Sequence, residues 1–168
     1  LILNKNIDFS RYNYFYATYL SQVGKIEKAK NLIKNSLEKY PRNLLLNQYN
    51  LNLNNGKNDD NFNCQNITDV VAEILYITAN ALSSQNIFTF SNFYLNLSKY
   101  LNEKFHSFDT LLAENLYKIE KFQEALEVYN RIEKKGQIFL WYAAKQKAKI
   151  YLKEENKKKS FKNFRKFI

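Results

Sequence analysis

Cysteine, histidine, proline and tryptophan each occur once in 168 residues, glycine three times and methionine not at all. Each scarcity closes off a class of protein. A lone thiol, Cys64, can form neither a disulfide nor a thiolate metal site within the chain. His106 has no second histidine and no cysteine near it, so no metal site is expected, and between two predicted helices its expected place is at the surface or at a helix cap. Gly24, Gly56 and Gly136 lie too far apart to make a phosphate-cradling loop. Glu114, Glu120, Glu124 and Glu127 fall on predicted helices, where solvation and pairing with Lys118 and Lys121 are their ordinary work. With no positioned base, nucleophile or metal, the expectation is a protein without catalysis and without a cofactor.

The same shortage of glycine and proline leaves little punctuation for a many-stranded sheet. Charged or amide side chains interrupt every apolar run before it reaches the ~18 residues of a membrane span. The chain opens at Leu1 inside an apolar stretch and finishes on Phe164, Phe167 and Ile168. A piece of a longer protein is expected from this, with uncapped ends through which copies could self-associate.

What the chain has in plenty is apolar and basic side chains. An apolar content of 45% is ample for a core, and Lys and Arg exceed Asp and Glu to give a formal charge of +10. Such a charge invites a nucleic-acid reading, because lysines that neutralise phosphates release counterions. The lysines are spread over most of the predicted helices, however, and peak only near the C-terminus, as solvated helix faces would. A nucleic-acid partner is therefore not the expectation.

Small residues recur at a fixed beat. Ala17, Ala79, Ala113 and Ala148 are separated by 62, 34 and 35 residues, and Ala29, Ser91, Ala125 and Ser160 repeat those intervals twelve residues later. Bulky residues keep the same time, with Leu20, Leu82, Leu116 and Tyr151 in one column and Ile33, Leu95, Tyr129 and Phe164 in another. The interval of 62 exceeds 34 by 28, which requires one shortened unit between the first two copies, at 44–71. Within each copy apolar residues lie three and four apart, the helical period. The alternation of small and large predicts paired helices whose backbones approach closely at the small residues. Helices are predicted over about 10–23, 26–40, 43–53, 69–84, 87–101, 105–119, 122–134, 138–153 and from 157 to the end. A polar loop is predicted over 54–66, where Asp59, Asp60 and several asparagines lack the spacing and the closing glutamate of a calcium loop.

These residues resemble the tetratricopeptide repeat, whose unit is about 34 residues with small, bulky and aromatic positions in this order and a closing proline. The copy at 10–43 carries Ala17, Leu20, Gly24, Ala29, Ile33, Ser36 and Pro41, and another carries Ala113, Leu116, Phe122, Ala125, Tyr129 and Ile132. The tryptophan early in the family's unit is absent from both. The resemblance implies an all-α fold, a right-handed solenoid of antiparallel helix hairpins. Its copies fall at 10–43, 72–105 and 106–140, with a degenerate one at 44–71 and a partial one at 141–168. It also implies a non-catalytic scaffold, most like bacterial repeat blocks, that holds a partner peptide or protein along the first helix of each pair.

The positions that map to that groove are Arg11, Tyr14, Phe15, Thr18 and Gln22, then Tyr76, Asn80, Ser83 and Ser84. They continue with Thr110, Glu114, Tyr117 and Lys118, and end with Lys145, Lys149 and Lys153. Their polar and aromatic character with a basic end suits a partner having an acidic portion. Two other readings stay open: a helical repeat that reads RNA, and the accessory array of an enzyme whose catalytic domain lies elsewhere. The aromatic run Tyr12, Tyr14, Phe15, Tyr16 and Tyr19 exceeds what one buried stripe can hold, so part of it is expected at the surface.

Overall fold

The computed structural model describes residues 9–57 and 61–154, and all of the regular structure among them is helical. The chain divides into two compact units, Leu1–Cys64 and Gln65–Ile168. The first holds α1 (Ser10–Gln22), α2 (Ile26–Lys39) and α3 (Leu44–Asn54). The second holds α4 (Ile67–Ser84), α5 (Phe88–Leu101), α6 (Ser107–Lys118), α7 (Phe122–Ile132), a 3-10 turn (Glu133–Lys135) and α8 (Gln137–Lys153). The helix predicted from residue 157, with Ser160 and Phe164, lies outside the described residues.

In the first unit α1 packs on both α2 and α3. Ala17, Ala29 and Ile33 have no exposed surface, so the backbones of α1 and α2 meet over small side chains. On its other flank α1 meets α3: the Tyr14 and Tyr49 rings are edge-on at 5.1 Å, and the Tyr49 hydroxyl donates to the Ala17 carbonyl at 3.2 Å. Pro41 cannot extend a helix, and α2 stops at Lys39. Asn43 then caps α3 by accepting from the Leu46 amide at 3.0 Å, while its own amide group donates to Ser10 at 2.9 Å.

In the second unit successive helices pack in chain order, α4 on α5, α5 on α6, α6 on α7 and α7 on α8. Ala79 and Ser91 face each other, and the Ser91 hydroxyl donates to the Ala79 carbonyl at 2.8 Å. Ala113, Ala125 and Ala148 are buried as well. α4 begins at Ile67, two residues ahead of the predicted start, because Asn66 caps it by accepting from the Thr68 amide at 3.0 Å. α6 begins two residues later than predicted, because the Asn102 side chain accepts the Lys104 and Phe105 amides at 3.1 Å each and holds that stretch as a turn.

One turn recurs at four helix ends. Gly24, Gly56, Asn86 and Glu120 have φ of 77°, 65°, 63° and 62°. The amide after each donates five residues back: Lys25 to Leu20 at 2.8 Å, Lys57 to Asn52, Ile87 to Leu82 and Lys121 to Leu116, the last three at 2.9 Å. This is the Schellman closure, which satisfies the last carbonyls of a helix. Gly24, Asn86 and Glu120 keep the 62 and 34 spacing of the small-residue columns. The turn at Gly56 closes α3 and leads into the polar stretch.

Candidate functional site

In the second unit, side chains of α6 link to those of α4 and α8. Tyr76 on α4 lies against Phe108 on α6 with ring centres 5.6 Å apart, and the Ser83 hydroxyl donates to Asn115 Oδ1 at 2.6 Å. Asn115 has no exposed surface, and its amide group donates to Ser91 at 2.8 Å and Asn92 at 2.9 Å, so one residue of α6 ties α4 and α5 together. Between α6 and α8, the Tyr142 hydroxyl donates to Glu114 at 2.6 Å, and the Lys153 ammonium lies 5.8 Å from the centre of the Tyr117 ring. Side chains of α4 and of α8 therefore both reach α6, which brings predicted residues of this unit near one another.

Their accessibility differs. Asn80, Ser84, Glu114, Lys118, Lys145, Lys149 and Lys153 are exposed, whereas Tyr76, Thr110 and Tyr117 are half-buried. The Thr110 hydroxyl turns back to the Ser107 carbonyl at 2.7 Å. Ser83 is enclosed and spent on Asn115, and this corrects its assignment to an open face. Lys118 reaches over the Phe88 ring at 5.3 Å, and Lys153 pairs with Glu120 at 2.7 Å while covering Phe122 at 5.0 Å. That pairing holds the Lys153 ammonium above its ordinary pKa and the Glu120 carboxyl below its own. Lys145 and Lys149 remain exposed, with no acidic partner among the described residues. They follow Trp141, 47% exposed, at intervals of four along α8, which places the three on one stripe.

Burial, with the Glu114 charge adding to it, pushes the Tyr142 and Tyr129 phenols far above their ordinary value. Tyr142 thus stays a donor to Glu114 well into alkaline conditions.

In the first unit the predicted face is closed by its own chain. Tyr14 and Thr18 are buried, Tyr14 against Tyr49 of α3, and the Thr18 hydroxyl donates to the Tyr14 carbonyl at 3.0 Å. Phe15 is stacked by Phe62 at 4.1 Å, and Arg11 lies 5.5 Å from the same ring. Only Gln22 of the five is exposed. Phe62 comes from the stretch read as a polar loop, where a single apolar residue has no periodicity to reveal it. An isolated helix pattern gives no width for the buried arc, and α1 has neighbours on two sides.

Two further clusters were not singled out by sequence. Asp109, nearly buried on α6, pairs with Lys99 at 2.7 Å and Arg131 at 3.3 Å, joining α5, α6 and α7. Lys147, buried on α8, holds Glu133 and, at 3.1 Å, Asn130. Both are ion pairs that join helices within the unit. His106 makes no side-chain cap bond, and its buried Nδ1 has no partner. Burial, then the charge of Lys135, lower its pKa to about 4 against the pull of Asp109. An open hollow of about 590 Å³ lies between α2 and α3, lined by Glu27, Lys30, Lys34, Glu38 and Asn50 among others, with charges of both signs.

Among the described residues no group of three His, Cys, Asp or Glu could hold a metal ion, and no helix is long and apolar enough to cross a membrane. No family model and no curated protein matches the chain.

Proposed function

We propose that the chain is a non-catalytic interaction scaffold, a solenoid of helix hairpins of the tetratricopeptide type, in which the face shared by α4, α6 and α8 holds a peptide or protein segment with an acidic portion. The close crossing of Ala79 with Ser91 and the recurring Schellman turns support the repeat reading. The observation that carries the function is the exposed pair Lys145 and Lys149 beside Trp141. Lys118 and Lys153 are already engaged with a ring or a carboxylate, whereas these two stand four residues apart with no acidic partner among the described residues. An aromatic surface next to two free ammonium groups suits an acidic segment that also carries apolar side chains.

The test is a calorimetric titration of a glutamate-rich peptide containing leucine into the wild type and into the Lys145→Glu, Lys149→Glu variant. The expected result is saturable binding by the wild type that weakens at least tenfold in the variant, with unchanged helical content. Binding that is equal in both proteins would remove α8 from the site. Tighter binding of single-stranded RNA of similar charge would favour the nucleic-acid reading instead.

A further inference from the structure

Glu114 on α6 is exposed, yet the fold holds its carboxylate in one place. Its Oε1 accepts the Tyr142 hydroxyl at 2.6 Å, and the Tyr142 ring is itself set edge-on against buried Tyr129 at 6.0 Å. A phenol donates a hydrogen bond without adding positive charge, so the carboxylate is fixed but not neutralised. No cation among the described residues completes a pair with it. Lys118, four residues on along α6, has the spacing that ordinarily joins a glutamate to a lysine. Its ammonium is instead turned over the Phe88 ring at 5.3 Å. Lys145 and Lys149 follow Tyr142 by three and seven residues, on the same side of α8, and neither forms an ion pair with Glu114. The other acidic residue of α6, Asp109, is by contrast taken by Lys99 at 2.7 Å and Arg131 at 3.3 Å.

An anchored carboxylate beside two unpaired ammonium groups gives this face both signs of charge in a fixed order. A segment acidic throughout would bring a carboxylate against Glu114, and like charges set together across an interface lower affinity. A segment whose acidic residues meet Lys145 and Lys149, and which carries a positive charge a few positions away, satisfies all three groups. We infer that Glu114 is the receptor for a lysine or arginine of the partner, so that the segment held here is acidic with one basic residue close by. This partner chemistry rests on the proposal that Lys145 and Lys149 hold an acidic segment, and it makes Glu114 the residue that selects among such segments.

Calorimetric titration of the full chain with peptides that differ in one residue tests it. Two glutamate-rich peptides containing leucine carry a single lysine, one before the glutamates and one after, and norleucine at the same place gives each a neutral match. The wild type is expected to bind one of the lysine peptides about three- to fivefold more tightly than its match, the gain of a surface ion pair. That preference should shrink as salt is added. Glu114→Gln keeps an oxygen for the Tyr142 hydroxyl and removes the charge, so it should retain its helical content and bind lysine and norleucine peptides alike. Glu127→Gln, at an exposed position on α7, should keep the preference. Binding of every peptide without preference for lysine, or a preference that survives in Glu114→Gln, would overturn the inference while leaving Lys145 and Lys149 as the holding pair. Binding of none of the peptides would overturn both.

Discussion

Asn115 shows how much one side chain can hold. It is fully buried, and all three of its recorded partners, Ser83, Ser91 and Asn92, lie on other helices. Replacing it by leucine keeps the volume but strands buried hydroxyl and amide groups, and an unsatisfied buried polar group costs about 1–3 kcal/mol. Asn115→Leu should therefore lower the urea-derived unfolding free energy by about that amount. Adding Ser83→Ala should recover part of the loss, because the stranded hydroxyl is then gone. Strictly additive effects of the two changes would show that the bond between them carries no energy.

His106 makes a second prediction at this scale. Its pKa falls from an ordinary 6.5 to about 4 in the folded chain, chiefly through burial and then through Lys135 and Lys99, with Asp109 acting the other way. The unfolded chain takes up the proton first as pH falls, so the stabilisation is complete above pH 6.5 and is lost progressively down to about pH 4. Discounted for partial exposure, the loss is on the order of 1–2 kcal/mol. Urea midpoints measured between neutral and acid pH should fall less steeply in His106→Gln than in the wild type. Parallel slopes would show that the histidine titrates as it does in the unfolded chain.

Among the elements, helix existence was legible from the three-and-four spacing of apolar residues, and turn chemistry only in part. Gly24 announces a positive φ because glycine adopts it freely, but Asn86 and Glu120 hold the same conformation without that marker. Their place in the repeat, 62 and 34 residues on, is the signal that could have found them. At Gly24 an added Cβ would meet nothing within 4 Å, so any penalty there comes from the backbone alone. Gly24→Ala is accordingly expected to cost about 1 kcal/mol, read as a lowered thermal midpoint with unchanged helical content. A variant that melts with the wild type would mean that the turn relaxes out of the left-handed region. Less of the site was legible than of the fold. Asn80, Glu114, Lys145 and Lys149 are exposed, while Tyr14 and Ser83 are closed by contacts from α3 and α6, whose approach no single-helix pattern contains.

For the molecule as a whole, the proposed capture of an acidic segment rests on the exposed Lys145 and Lys149 of α8. Salt should weaken that capture by screening the two ammonium groups. Trp141 is the chain's only tryptophan and sits on the basic stripe, four residues before Lys145. Its emission therefore reports on the surroundings of α8 at this stripe. The most direct measurement is Trp141 fluorescence during titration with the glutamate-rich peptide at low and at high salt. A saturating shift of the emission maximum that fades with salt is the result predicted. Binding that leaves Trp141 emission unmoved, or no binding at low salt, would contradict the claim that α8 presents the partner-holding face.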